Sequence, residues 1–258
     1  MKIGLIGCGN MARAMARGWG RPVLCFDPVS ERAEALAGEL GGEALESNVA
    51  VAERADLVVL CHKPSQLLDV ALEIASSTKA VASILAATPL PALKNRYPEI
   101  PVYRFLPSLP VEVRRGAVVQ SADPQREAAL DRDGTIDAQV RELFAELGTL
   151  VVLDDWLIDV AMGLMSCAPA YVALVAEAQV DAGVRRGIPS AQASALVTET
   201  LAGTAELLRK RDYDTLAVRR EVTSPGGVTA RGLAALERGG LRAAFDNALD
   251  AVLGEQQR

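Results

Sequence analysis

The sequence predicts an α/β protein in two parts, and three observations lead to that fold. Up to residue 152 short apolar runs alternate with amphipathic stretches, the pattern of βαβ units around a parallel sheet. A glycine turn, Gly7-Cys8-Gly9, joins the first run to the first amphipathic stretch. From residue 155 the strand signal stops and long helical patterns take over, so residues 1–154 are expected to form the sheet domain and residues 155–258 an all-helical one.

The predicted strands are Lys2 to Ile6, Val23 to Phe26, Asp56 to Cys61, Ala80 to Leu85, Val102 to Leu106, Ala117 to Gln120 and Leu150 to Leu153. Runs such as Leu57-Val58-Val59-Leu60 are apolar without alternation, which fits a sheet covered on both faces. Met11 to Trp19, Ser30 to Leu40, Gln66 to Ala75 and Ala138 to Leu147 read as helices between them. The polar stretch Asp123 to Asp137 reads as a surface loop or a short solvated helix. In the second half the helices are Trp156 to Arg186, Ala191 to Lys210, Val228 to Leu236 and Leu241 to Leu253. Gly187-Ile188-Pro189-Ser190 stops the first of these and offers Ser190 as a cap for the next.

Composition narrows the function. The 258 residues carry 33 Asp plus Glu against 27 Lys plus Arg, a net charge of −6, which gives no electrostatic footprint for a nucleic acid. The single histidine, His62, excludes multi-histidine metal sites, and no metal site is expected. Cys8, Cys25, Cys61 and Cys167 lie far apart with no C-x-x-C pair, as suits a reducing cytoplasm, and no signal peptide is read at the N-terminus. Val160 to Ala176 is uncharged and apolar on every face, but Gly163, Ser166 and Pro169 interrupt it. It reads as a helix buried in an oligomer interface rather than a membrane span, so a dimer through the helical half is expected.

The chemistry-bearing motifs fall at strand ends. Gly7-Cys8-Gly9-Asn10-Met11-Ala12 is a G-x-G-x-x-A turn between a strand and a helix, where Gly7 allows the tight turn and Gly9 lets a pyrophosphate approach the backbone. Asp27, at the end of the second strand, is placed to accept hydrogen bonds from an adenosine ribose, which favours NADH. Arg32 leaves the alternative open, since it faces a 2′-phosphate if Asp27 turns away, and Ser30 beside it caps the helix on a third reading. His62-Lys63-Pro64 follows the strand Asp56 to Cys61, at the sheet edge where open α/β folds bind ligands. Lys63 is placed for phosphate or ribose, whereas His62 reads as a packed side chain or a catalyst. Ser108, between Pro107 and Pro110, is placed to donate to a bound ring. Thr223-Ser224-Pro225-Gly226-Gly227-Val228-Thr229 precedes a helix and reads either as a nest of amides for a carboxylate or as an ordinary capped turn.

With these residues in hand, the chain resembles the pyrroline-5-carboxylate reductase family, which completes proline synthesis by reducing a cyclic imine. The resemblance runs nearly the whole length, through IGLIGCGNMARAM, LCHKPSQ, VYRFLPSLP, PAYVALVAEAQVDAGVRRGIP and VTSPGGVTARGLAALERGGLRAAFDNAL. It implies a Rossmann-like dinucleotide-binding domain, a helical dimerisation and substrate-binding domain, and an active site shared between subunits. By the same implication Thr229 hydrogen-bonds the imine nitrogen as the catalytic residue, while Ser224 and the amides of Gly226, Gly227, Val228 and Thr229 hold the carboxylate. The cofactor, NADH or NADPH, falls to Gly7, Cys8, Gly9, Asn10, Met11, Asp27, His62, Lys63, Pro64 and Ser108. The chain departs from the family's usual pattern at Leu106-Pro107-Ser108-Leu109-Pro110 (usually M-P-N-T-P), at Ser166-Cys167-Ala168-Pro169-Ala170-Tyr171 (usually G-S-G-P-A-Y), at His62 (usually apolar) and at Thr88 (usually glycine).

The expected protein is therefore a cytoplasmic, homodimeric or larger imine reductase acting on a small cyclic imino acid, with no nucleic-acid or membrane partner. Its first reading is reduction of pyrroline-5-carboxylate to proline. The alternatives are a reductase of another cyclic imino acid and a non-catalytic dinucleotide-binding paralogue. A β-hydroxyacid-type dehydrogenase is disfavoured because residues 155–210 offer no lysine before Lys210.

Overall fold

The computed structural model describes residues 1–124 and 135–254, and the chain divides into two compact units, Met1–Pro169 and Ala170–Arg258. Most of the polar stretch Asp123 to Asp137 lies outside the described residues.

The first unit is built on an eight-stranded sheet, counted among the described residues, in the order β3-β2-β1-β4-β5-β6-β7-β8. The strands are β1 (Ile3–Ile6), β2 (Leu24–Phe26), β3 (Glu43–Ala44), β4 (Leu57–Leu60), β5 (Val81–Ser83), β6 (Val102–Pro107), β7 (Gly116–Ser121) and β8 (Gly148–Leu153). Helices α1 (Asn10–Trp19), α2 (Ser30–Leu40), α3 (Asn48–Arg54), α4 (Leu67–Ile74), α5 (Leu90–Arg96) and α6 (Ile136–Ala145) connect them. Every residue of β1, β4, β5 and β6 is buried, as the unbroken apolar runs require of a sheet covered on both faces.

Register decides where the site lies. Ile6 pairs in parallel with Phe26 on one side and with Leu60 on the other. Gly7, Asp27 and Cys61, the residues next in chain after these three, therefore emerge together at one edge of the sheet. This is also where the strand order reverses, the position at which open α/β sheets bind ligands.

The structure differs from the sequence reading in four places. The sheet is not wholly parallel: β6 and β7 pair antiparallel, because residues 108–115 are too few for a crossover, which needs a dozen or more. Short elements were not anticipated, namely β3, α3 and α5, whose few turns carry too little periodicity to register. The expected helix Trp156 to Arg186 is instead a succession: a 3-10 turn (Asp155–Leu157), α7 (Ile158–Ala161), a π turn (Met162–Ser166) and α8 (Ala168–Val184). Pro169 lacks the N–H that would continue the α ladder, and the widened turn before it closes through Cys167 N to the Met162 carbonyl at 3.0 Å. Ser30 and Ser190 are each the first helical residue rather than the cap, and neither Val29 nor Pro189, the actual caps, supplies a side-chain hydrogen bond.

The segment after β8 is tied into the first unit by a buried arginine. Arg104, on β6, donates to Asp155 Oδ1 and to Asp159 Oδ1, both at 2.9 Å. Asp155 in turn accepts from Ser121 Oγ at 2.9 Å and from the Leu90 amide at 3.1 Å.

The second unit contains most of α8, then α9 (Ser190–Lys210), α10 (Thr215–Glu221), α11 (Val228–Arg238) and α12 (Leu241–Leu253). The short α10 was also unforeseen; Asp214 caps it, accepting from the Leu216 and Ala217 amides at 2.8 and 3.0 Å. Of the described residues, the run Asp155–Val184 is the one helical stretch long and apolar enough to cross a membrane by length and composition.

Candidate active site

In the first unit the glycine turn is built by close approach. Gly7 has φ +95°, and a Cβ there would stand 2.8 to 2.9 Å from the Cys61 carbonyl and the His62 amide. Only glycine fits that backbone and that contact. A Cβ at Gly9 would meet nothing within 4 Å, so the backbone at the start of α1 borders open space. No side chain caps α1. Its first amides are left for an anion, the arrangement that dinucleotide pyrophosphates use.

Asp27 organises the same edge. It is 7% exposed; its Oδ2 accepts from the Cys8 amide at 2.8 Å and its Oδ1 from the Val29 amide at 2.9 Å. One carboxylate thus fixes both the glycine turn and the β2–α2 turn. Arg32 stands further off, with Nη1 3.9 Å from Asp27 Oδ1 and its side chain 60% exposed.

A groove runs along this edge, lined by Gly7, Gly9, Asp27, Val29, Arg32, Asn48, Cys61, His62, Lys63 and Gln66 among others. Two buried polar atoms in its wall, His62 Nε2 and Asn48 Oδ1, have no hydrogen-bond partner among the described residues. Buried groups of this kind take a partner from water or a ligand, and the groove fits a nucleotide on two counts, the open backbone at Gly9 and the carboxylate at Asp27. His62 Nδ1 lies 2.9 Å from the Lys63 carbonyl, and burial lowers the ring's pKa, so the neutral form prevails at neutral pH. The Cys8 thiol is pushed well above its usual range, first by its hydrogen bond with Cys25 and then by burial, and burial raises Cys61 too. They pack beneath the turn as thiols, not as nucleophiles.

The sequence-predicted cofactor residues are thus only partly gathered. Gly7, Gly9, Asp27, His62 and Lys63 line the groove; Cys8 lies beneath it, Met11 packs on the core, Asn10 is exposed on the first turn of α1, and Pro64 opens the 3-10 turn Pro64–Gln66. Ser108 is 3% exposed and its Oγ accepts from the Ala117 amide at 2.9 Å, so one of its lone pairs fastens β7 while its O–H remains to donate. Asn48 and Gln66 were missed. The signal that points to Asn48 is slight, a serine just before it at the start of α3, where Ser47 Oγ accepts from the Ala50 amide at 3.1 Å. Thr88 is buried and its Oγ1 donates to the Ala86 carbonyl at 3.0 Å; the left-handed backbone at this turn belongs to its neighbour Ala87, at φ +50°.

The second unit contains the glycine-pair turn at residues 223–229. Gly226 has φ +69°, and a Cβ at Gly227 would lie 2.4 Å from Ser224 Oγ, so the paired glycines are required by the turn itself. The Gly227 amide donates to the Ser224 carbonyl at 3.0 Å, and it is therefore not free for a substrate carboxylate as the sequence suggested. No side chain caps α11, whose first turn leaves the amides of Val228, Thr229 and Ala230 unclaimed by the helix. Thr229 is half-buried within that turn. A helix start of this kind accommodates a carboxylate or another anion.

A nucleotide groove at the switch point of a parallel sheet, with an anion-accepting helix start in a helical domain, defines a dinucleotide-dependent oxidoreductase. The family description "Pyrroline-5-carboxylate reductase dimerisation" matches residues 155–258, and "NADP oxidoreductase coenzyme F420-dependent" matches residues 2–87. The chain is 36% identical over 260 residues to pyrroline-5-carboxylate reductase of Thermus thermophilus, covering 98% of this chain and 96% of the relative. The enzyme of that name from Pseudomonas aeruginosa is 31% identical, with 97% and 94% covered. Among solved structures, Plasmodium falciparum pyrroline carboxylate reductase with NADP bound superposes with a TM-score of 0.83 at 25% identity, covering 98% of this chain and 95% of that one. The Streptococcus pyogenes 1-pyrroline-5-carboxylate reductase gives the same TM-score at 27% identity, with 98% and 96% covered. This chain belongs to the pyrroline-5-carboxylate reductase family.

Proposed function

We propose that the protein reduces pyrroline-5-carboxylate to proline, with residues 1–154 holding NADH or NADPH and residues 155–258 holding the imino acid and the dimer contact. The observation that carries this reading is the start of α11: an uncapped first turn whose amides await an anion, with the Thr229 hydroxyl among them. The relatives' names supply the substrate. When bound, the reduced nicotinamide supplies the hydride. The substrate carboxylate accepts from the Val228, Thr229 and Ala230 amides and from Ser224, which orients the ring. The protonated imine nitrogen donates to Thr229 Oγ1, whose lone pair holds it while the C=N carbon is reduced. Because that nitrogen already carries its proton, orientation and exclusion of water suffice and no histidine is needed. The working form is a homodimer in the cytoplasm, acting without nucleic acid or membrane.

The test is oxidation of NADH and NADPH across a panel of cyclic imino acids of five- and six-membered rings. Turnover is expected with pyrroline-5-carboxylate, and Thr229→Val is expected to lower kcat/KM by about ten- to hundredfold, a loss of about 1–3 kcal/mol, at unchanged nucleotide affinity. Nucleotide binding without turnover of any imine would give the reading to a non-catalytic paralogue. A six-membered ring preferred over the five-membered one would move the substrate to another cyclic imino acid.

A further inference from the structure

We propose that Asp27 makes this groove selective for NADH over NADPH, and that it does so as a fixed anion that cannot turn aside for a 2′-phosphate. The inference rests on the nucleotide reading above and deepens it. Both carboxylate oxygens are held by backbone amides, Oδ2 by Cys8 and Oδ1 by Val29, in a residue only 7% exposed. Rotating the side chain away would break two charge-assisted hydrogen bonds and strand two amides, one in the glycine turn and one in the β2–α2 turn. Asp27 therefore stays, and each oxygen keeps a further lone pair for a ribose hydroxyl.

The surrounding turn offers an extra phosphate the exposed side chains of Ser30 and Arg32 but little from its backbone. Pro28 has no N–H, and the Val29 N–H is spent on Asp27. The charged side chains lining the groove are Asp27, Arg32 and Lys63. Lys63 follows β4, the strand on the far side of β1 from β2, so it stands across the glycine turn from Asp27. Arg32 faces Asp27 Oδ1 at 3.9 Å, so one cation answers an anion already present. The first turn of α2, whose amides would otherwise attract a phosphate, carries the acidic Glu31. A 2′-phosphate adds a charge near −2 beside this carboxylate, whereas a 2′-hydroxyl adds a donor to it.

The experiment is equilibrium binding of NADH and NADPH to the full-length protein at one ionic strength, read by nicotinamide fluorescence with no imine present. AMP and adenosine 2′,5′-bisphosphate then compete against NADH. NADH is expected to bind at least about tenfold more tightly than NADPH, and AMP to compete at least about tenfold better than the bisphosphate. In Asp27→Ser the NADH:NADPH ratio is expected to fall by about tenfold; if that variant does not fold, the ratios in the unmodified protein decide alone. Equal or tighter binding of NADPH overturns the proposal even if the protein reduces imines. NADH selectivity without imine reduction upholds it while removing the catalytic reading, and binding of neither nucleotide removes both.

Discussion

The two units solve the burial problem in opposite ways. In the first, four strands are buried at every position, and Trp19, Phe105 and Phe144 close the core, with Phe105 and Phe144 stacked at 3.8 Å between centroids. In the second, α8, α11 and α12 bury no residue, while α9 buries only Ala193 and α10 only Val218. Val172, Leu174, Leu196 and Phe245 are among the large apolar side chains left exposed in a single chain. Apolar surface on that scale is covered in a working protein, and the dimerisation family match over residues 155–258 says by what kind of partner. The first unit buries a core of its own, whereas the second leaves its apolar faces open over the residues that match a dimerisation family.

The largest effect that tests this contrast is concentration dependence. Diluting the protein below its dimer dissociation constant is expected to melt helices of the second unit while the sheet persists, so helical circular dichroism falls and thermal melting splits. One cooperative transition at the same temperature over a hundredfold dilution would break the comparison.

The next is a pair of charge deletions. Asp155→Ala removes the carboxylate that Arg104, Ser121 and the Leu90 amide share, leaving the buried guanidinium with Asp159 and the main-chain carbonyl of residue 155. We expect a loss of about 3 kcal/mol in the first unit by denaturant titration. Arg242→Ala breaks the exposed Arg242–Glu237 pair of the second unit and is expected to change nothing measurable.

A smaller gain is expected at Ala87, whose φ of +50° is unfavourable for any residue with a Cβ. Ala87→Gly should stabilise the first unit by about 1 kcal/mol, read as a rise in Tm; a fall would show that the turn is held by something other than backbone strain.

The smallest effect concerns His62. Burial lowers its pKa in the folded state, so the unfolded chain binds more protons as the pH drops through its ordinary value of about 6.5. Stability of the first unit should therefore decline as pH falls through that value, until the folded-state pKa is passed. His62→Leu should flatten the profile there, and an unaltered slope would place the titration in another group.

What the sequence made legible follows the strength of its periodicity. The bounds of α2 and α12 were read to the residue, and the glycine turn and Asp27 stand out by local pattern, whereas local pattern leaves the Ser224 to Thr229 turn open between an anion nest and an ordinary capped turn. Elements of two to seven residues, β3, α3, α5 and α10, carry too few repeats for any pattern to stand out. The π turn at Met162–Ser166 was hidden because an apolar run looks the same whether its ladder closes at four residues or five. Nor did spacing reveal how individual donors are used: that Gly227 spends its amide on Ser224, or Ser108 its oxygen on Ala117, depends on backbone geometry.

Asp27 touches two amides in two different turns, and this constrains how the lineage explores its options. A residue that only contacted the nucleotide would be replaced in one step whenever a different coenzyme was advantageous. Here any first replacement also loosens the loop beneath the pyrophosphate, so the intermediate sequence is worse at holding either nucleotide. The route to a new preference must begin elsewhere, with changes that brace Cys8 and Val29 by other means, and only afterwards release position 27. Descendants of this protein are thus expected to alter Asp27 together with its neighbours or not at all.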